Sequence, residues 1–105
     1  MQRGDVFRFK LPKSVVHEQQ GERFGVVVQA DELLPLSVVI VAPTSRSARA
    51  ASFRPVVVVA GGPTRVLVEQ LGAVDAQRLG KRVARLTADE VWAVDDALLT
   101  VLGLS

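Results

Sequence analysis

Apolar and polar positions alternate along most of this chain in short bursts. Asp5, Phe7, Phe9 and Leu11 fall on one side of a period-two pattern, with Val6, Arg8 and Lys10 on the other, which predicts a half-buried strand over residues 5–11. The polar stretch Pro12 to Glu22, with Gly21 near its end, reads as a long loop leading into a second strand at Val26-Val27-Val28. Loops of that length are often functional. A third strand is expected at Ser37 to Ala42, then a Ser/Ala/Arg loop from Pro43 to Ser52 and a fourth strand from Phe53 to Val59. A Gly-Gly-Pro turn leads to a fifth strand at Arg65 to Val68. Short strands with little helix between them predict an antiparallel sheet curling into a small barrel and disfavour a parallel βαβ layout. The period changes after residue 86. Thr87-Ala88-Asp89-Glu90 is a capping box, and Val91, Val94, Leu98, Val101 and Leu102 then recur every three or four residues, with Gly103 placed as a stop. The expected architecture is therefore mainly β, with one C-terminal α-helix. Trp92, the single tryptophan, lies one position off the apolar stripe and is expected to anchor a core or an interface.

At 105 residues there is material for one domain and one core, with no repeat and no linker. The apolar runs are too short to span a bilayer, and the N-terminal segment lacks the long apolar stretch of a secretory signal, so a cytoplasmic product is expected. With no cysteine and one histidine, disulfides, thiolate chemistry and Cys-based zinc sites are excluded and a His-rich metal site is disfavoured. No metal or other cofactor is expected. The net charge of +2 conceals an asymmetry: residues 1–86 carry thirteen bases and seven acids, whereas residues 87–105 carry four acids and no base. Between Glu32 and Glu69 there is no acid, yet Arg46, Arg49, Arg54 and Arg65 all fall there. That field would suit a polyanion, or would simply be a solvated basic face.

Three motifs sharpen the picture. Arg3-Gly4-Asp5-Val6, followed by His17-Glu18-Gln19-Gln20-Gly21-Glu22-Arg23 and a Val-rich strand, resembles the opening of MazF/PemK-type toxins. Val41-Ala42-Pro43-Thr44-Ser45 looks like that family's strand ending in Pro and Thr-Ser. Glu69-Gln70, Val74-Asp75 and Gln77-Arg78-Leu79 are similar to its later Gln, Asp and Arg-Leu spacing. Each match is weak alone, but the three occur in family order along most of the chain. The resemblance implies an SH3-like antiparallel barrel of the CcdB/PemK kind acting as a homodimer. It further implies metal-independent cleavage of single-stranded RNA at short specific sequences, and inhibition by a MazE-like antitoxin with a disordered acidic tail. Two other readings stay open: a gyrase-poisoning toxin on the same barrel, as in CcdB, and a non-catalytic SH3-like nucleic-acid-binding adaptor.

Cutting RNA without a metal needs the 2′-hydroxyl deprotonated, the pentacoordinate phosphate stabilised and the leaving oxygen protonated. Arg23 is the first candidate, because its planar fork holds two phosphate oxygens; the plainer role for it is a loop-anchoring ion pair. Carried over from the resemblance, Thr44 and Ser45 are expected on the same phosphate. His17 and Glu69 are the two candidates for the general base, since Arg stays protonated. Glu18 and Gln19 are expected to order the RNA-binding loop, and Gln70 to contact a base edge or hold Arg23. Arg46, Arg49 and Arg54 are expected on phosphates, with Phe53 or loop backbone against unstacked bases, and Arg65, on the same strand face as Leu67, is the candidate to stand in at the RNA for an arginine that PemK-like members carry at that place.

Overall fold

The computed structural model describes residues 1–9 and 23–105. Seven strands and one α-helix are present among them: β1 (Asp5–Phe9), β2 (Phe24–Val27), β3 (Val38–Ser45), β4 (Val56–Val59), β5 (Gly62–Val66), β6 (Gly72–Asp75), β7 (Leu79–Arg85) and α1 (Ala88–Val101). Every described pairing is antiparallel, and the strands follow the order β4-β5-β3-β2-β1-β7, with β6 also pairing to β3. The sheet curls and α1 closes over one of its faces, as the alternation and the change of period predict. Short 3₁₀ turns at Asp31–Leu33, Val68–Gln70 and Ala76–Arg78 supply the bends.

The strand boundaries differ from the sequence reading in instructive ways. The third strand runs on to Ser45, so Thr44 and Ser45 belong to β3 and not to the loop after it. The fourth begins at Val56, which leaves Phe53 and Arg54 in the preceding turn, and the fifth occupies Gly62–Val66. Strands β6 and β7 were not anticipated, and residues 10 and 11 of the first expected strand lie outside the described residues.

Alternation sorts the apolar side chains into two cores. Val6, Phe24, Val26, Ala42, Val57, Val59, Val66 and Val68 face α1, whose Val94 and Ala97 are buried among them, with Val91, Leu98 and Val101 packed at the margin. Val27, Val39, Val41 and Leu79 form the second cluster with Phe7 and Phe9. Burial of this apolar surface, at roughly 25 cal/mol per Å², is the main driving force for the fold. The capping box forms: Glu90 N donates to Thr87 Oγ1 and Thr87 N to Glu90 Oε1. The second carboxylate oxygen of Glu90 accepts the backbone N–H of Val58 at 2.8 Å, so the helix start also satisfies a donor on edge strand β4. Leu102, expected on the buried stripe, is instead exposed, and so is Trp92, at 73%. A core role for Trp92 is thereby corrected. Its position two residues before the buried Val94 turns the indole away from the sheet.

The Arg-Gly-Asp motif fastens the N-terminal turn. Asp5 is 1% exposed; its Oδ2 accepts Gln2 N and its Oδ1 accepts Arg85 Nε, with Arg82 at 3.7 Å. Arg3 donates from Nε to the Val28 carbonyl and pairs through Nη1 with Asp95 of α1 at 2.6 Å. Gly4 lies between them at φ +91, a conformation that favours glycine, and an added Cβ would touch Val91 at 3.0 Å.

Candidate functional site

Register brings the candidates to one end of the sheet. Ser45 pairs directly with Arg65 across β3 and β5, and Phe9 N donates to the Arg23 carbonyl where β1 meets the start of β2. Extending the Gly25↔Pro43 register by two residues sets Arg23 beside Ser45. Leu79 of β7 pairs with Phe9. Arg65, Ser45, Arg23, Phe9 and Leu79 thus form one row across five strands. Four strand spacings of ~4.8 Å make that row ~19 Å long.

Within the row the side chains differ in availability. Arg23 is exposed, and its guanidinium has no hydrogen bond or ion pair among the described residues, so the anchoring ion pair expected as its plainer role does not occur there. Thr44 is 4% exposed and turns inward beside the first core, while Ser45 is half-buried and accepts Ser47 N at 3.3 Å. Thr44 is therefore the least accessible of the candidate groups among the described residues.

The loop after β3 is braced by its own arginines. Arg46 donates to the carbonyls of Val59 and Pro63 at 2.9 and 3.0 Å, which clamps the β4–β5 turn. Gly62 leaves the space for that clamp, since a Cβ there would collide with the Arg46 guanidinium. Arg54 donates from Nε and Nη2 to Glu69 Oε2 at 2.9 and 2.6 Å and from Nη1 to the Arg49 carbonyl at 3.2 Å. Arg65 in turn donates to the Arg54 carbonyl at 3.1 Å. Phe53 packs against the core with the Arg54 guanidinium 5.7 Å above its ring. Of the four arginines expected to bind RNA, Arg46, Arg54 and Arg65 are engaged in this framework and Arg49 is exposed.

Glu69 is changed most by this arrangement. The Arg54 hydrogen bonds hold its carboxyl below the usual carboxylate range, outweighing the opposing effect of burial. A carboxylate so held is a weaker proton acceptor than a free one. Gln70 is exposed in the adjoining turn. His17, Glu18 and Gln19 lie outside the described residues. No group of three His, Cys, Asp or Glu side chains able to hold a metal ion occurs among the described residues. The sequence reading passed over the cations of β7 and the turn before it, Arg78, Lys81, Arg82 and Arg85, all of which are exposed. Their signal was available: between Asp75 and Asp89 there are four bases and no acid.

Residues 2–102 match the family model described as PemK-like, MazF-like toxin of type II toxin-antitoxin system. The chain belongs to that toxin family. The toxin is 42% identical over 89 residues to a Mycobacterium tuberculosis protein described as a "putative toxin", covering 84% of this chain and 83% of the relative. It also resembles solved structures. One is an endoribonuclease in complex with its cognate antitoxin from a mycobacterial species, with TM-score 0.80 and 18% identity over 100% of this chain and 97% of that one. Another is the MazE–MazF complex of Deinococcus radiodurans, with TM-score 0.80 and 21% identity over the same shares of each chain. At such identities the likeness establishes the toxin's fold, an antiparallel curled sheet with a C-terminal helix. No helix among the described residues is long and apolar enough to cross a membrane.

Proposed function

We propose that this toxin is a metal-independent endoribonuclease that cleaves single-stranded RNA at short specific sequences and so inhibits translation and growth. The observation that carries the reading is the guanidinium of Arg23, exposed and unengaged among the described residues, held by the β1–β2 pairing in the middle of a sheet row that also contains Ser45 and Arg65. An anion arriving there meets a planar, permanently charged fork with its donors unspent, the arrangement suited to charge developing on a phosphorane.

In this mechanism Arg23 binds the scissile phosphate and stabilises its transition state. Ser45, with Thr44 behind it, donates to a phosphate or ribose oxygen. His17 accepts the 2′-hydroxyl proton, because Glu69 is already committed to Arg54. The 2′-oxygen then attacks phosphorus, the 5′-oxygen leaves with a proton, and a 2′,3′-cyclic phosphate results. DNA, lacking the 2′-hydroxyl, is spared. Arg54, Arg65, Arg46 and Glu69 act by fixing the loop that Arg49, Gln70, Glu18 and Gln19 would use to read neighbouring nucleotides. The named neighbours suggest the regulation: a MazE-like antitoxin with an acidic tail would compete for the same cationic end. A homodimer in the cytoplasm completes the reading, with the exposed side of α1 around Trp92 available to a second copy.

The test is incubation of wild-type and Arg23→Ala protein with a long single-stranded RNA in EDTA, with mapping of cut positions and end groups. The expected result is cleavage at a short recurring motif by wild type alone, leaving cyclic phosphate ends. Loss of cutting in EDTA, or equal cutting by both proteins, would overturn the mechanism. RNA binding without cleavage by either protein would favour a non-catalytic adaptor.

A further inference from the structure

The toxin's described sheet ends in β7, and the cations there stand apart from those of the Arg46–Arg65 framework. Arg78 and Lys81 are exposed, and neither has a side-chain partner among the described residues. Arg82 and Arg85 share one buried carboxylate, Asp5, and keep about half of their side-chain surface in solvent. Arg8, on the neighbouring strand, lies 5.9 Å over the Phe24 ring, between the Arg23 end of β2 and the first residues of β7. The row Arg65–Ser45–Arg23–Phe9–Leu79 reaches the sheet edge, where its apolar end, Phe9 and the buried Leu79, is flanked by the cations Arg78 and Lys81.

We propose that the β7 edge, through Arg78 and Lys81, is a second phosphate-binding surface that holds RNA flanking the scissile phosphate. This inference rests on the RNA-cleaving reading above. The ~19 Å row gives the strand a direction, across the β-strands and away from the Arg46–Arg65 loop. Its length suits the footprint of about 4 to 16 nucleotides that other small β-barrels cover. An acidic polypeptide adding as an extra strand fits the edge less well. The β1–β7 ladder shifts register between Val6 and Phe7 and again between Phe7 and Phe9, and such irregularities twist an edge out of the regular spacing that strand addition needs. Phosphate contacts carry no such requirement: they need exposed charge, and they position the strand without reading its sequence.

The experiment compares wild type with the Arg78→Gln/Lys81→Gln double variant, whose side chains are solvent-facing, so that matched thermal melts are expected. The probe is a 2′-O-methyl RNA of mixed sequence and about 20 nucleotides, which has no free 2′-hydroxyl to attack, and binding is followed by fluorescence anisotropy across a salt series. Two lost phosphate contacts on a single strand should lower the slope of log affinity against log salt by about 1.4 and weaken binding by about tenfold near physiological salt. KM for a long cleavable RNA should rise while kcat is kept. If wild type binds and cuts RNA but the variant matches it in slope and KM, the β7 surface is refuted and the RNA-cleaving reading stands. Failure of wild type itself to bind the probe would sink both. If the variant keeps RNA affinity and loses affinity for a poly-glutamate peptide, the edge takes an acidic polypeptide and the proposal is overturned.

Discussion

Glu69→Gln separates a structural carboxylate from a catalytic one. In the wild-type toxin Glu69 Oε2 accepts two N–H groups of Arg54, at 2.9 and 2.6 Å, and both side chains are about three-quarters buried. A hydrogen bond to a charged group contributes ~1.5–3 kcal/mol, a fully exposed ion pair ~0.2–1 kcal/mol, and Gln retains one neutral acceptor; partial exposure therefore puts the expected loss at about 1–2 kcal/mol. For a domain of this size each kcal/mol lowers Tm by about 4–8 °C. The pH dependence follows from the direction of the shift. The carboxyl titrates lower in the folded state than in the unfolded chain, so the unfolded state binds the extra proton in that interval. The contribution is complete above the unfolded value of about 4.3 and is lost as pH falls through the lowered folded value. Urea melts at about pH 7 and about pH 3 should show the wild type more stable than Glu69→Gln at the higher pH and the gap narrower at the lower. Cleavage by the variant should weaken through a higher KM, with the acid limb of the rate profile unmoved. Equal stability at neutral pH, together with disappearance of that acid limb, would refute the argument and return Glu69 to the role of general base.

Three further substitutions probe the scaffold. Thr64 is 3% exposed and its hydroxyl is buried without a hydrogen-bond partner among the described residues, so Thr64→Val should raise stability by about 1 kcal/mol; a loss of that size in urea titration would mean the hydroxyl is satisfied in solution. Glu90→Ala removes both the capping-box return and the acceptor for Val58 N, and should cost about 2 kcal/mol, against about 1 kcal/mol for Thr87→Ala, which removes the cap oxygen alone. Equal losses would show that the bond from Val58 adds nothing.

What the sequence revealed was what is local. The Thr87–Glu90 box and the stripe through Val94 and Leu98 are encoded within one or two helical turns, and the strands around Val26 and Val39 declare themselves by alternation and β-branched content. Strand β6, Gly72-Ala73-Val74-Asp75, lacks both signals and is held in place by β3, some 35 residues earlier in the chain. Strand β7 hides for a related reason: on an edge it keeps Lys81, Arg82 and Arg85 in solvent, so its apolar face is interrupted. The candidate site divides in the same way. Motif order placed Arg23, Thr44 and Ser45 together; the strand register sets Arg23 and Ser45 in one row, while Thr44 turns to the opposite face and is buried. Charge counting placed Arg46, Arg54 and Arg65 in a field suited to a polyanion, yet their acceptors are carbonyls and a carboxylate brought near by the fold, and no local window of sequence shows which arginine will be spent in that way.

The fastening of the N-terminal turn has a consequence for synthesis on the ribosome. Asp5 waits for Arg85, and Arg3 waits for Asp95, so the first turn to be made is among the last to be secured. In a chain that folds from its N-terminus β1 can pair with β2 early, but the turn before it is not fastened until β7 and α1 have been made, and pairings so distant in sequence are slow to form. Completion of the toxin's N-terminal turn therefore waits for its C-terminal residues to leave the ribosome.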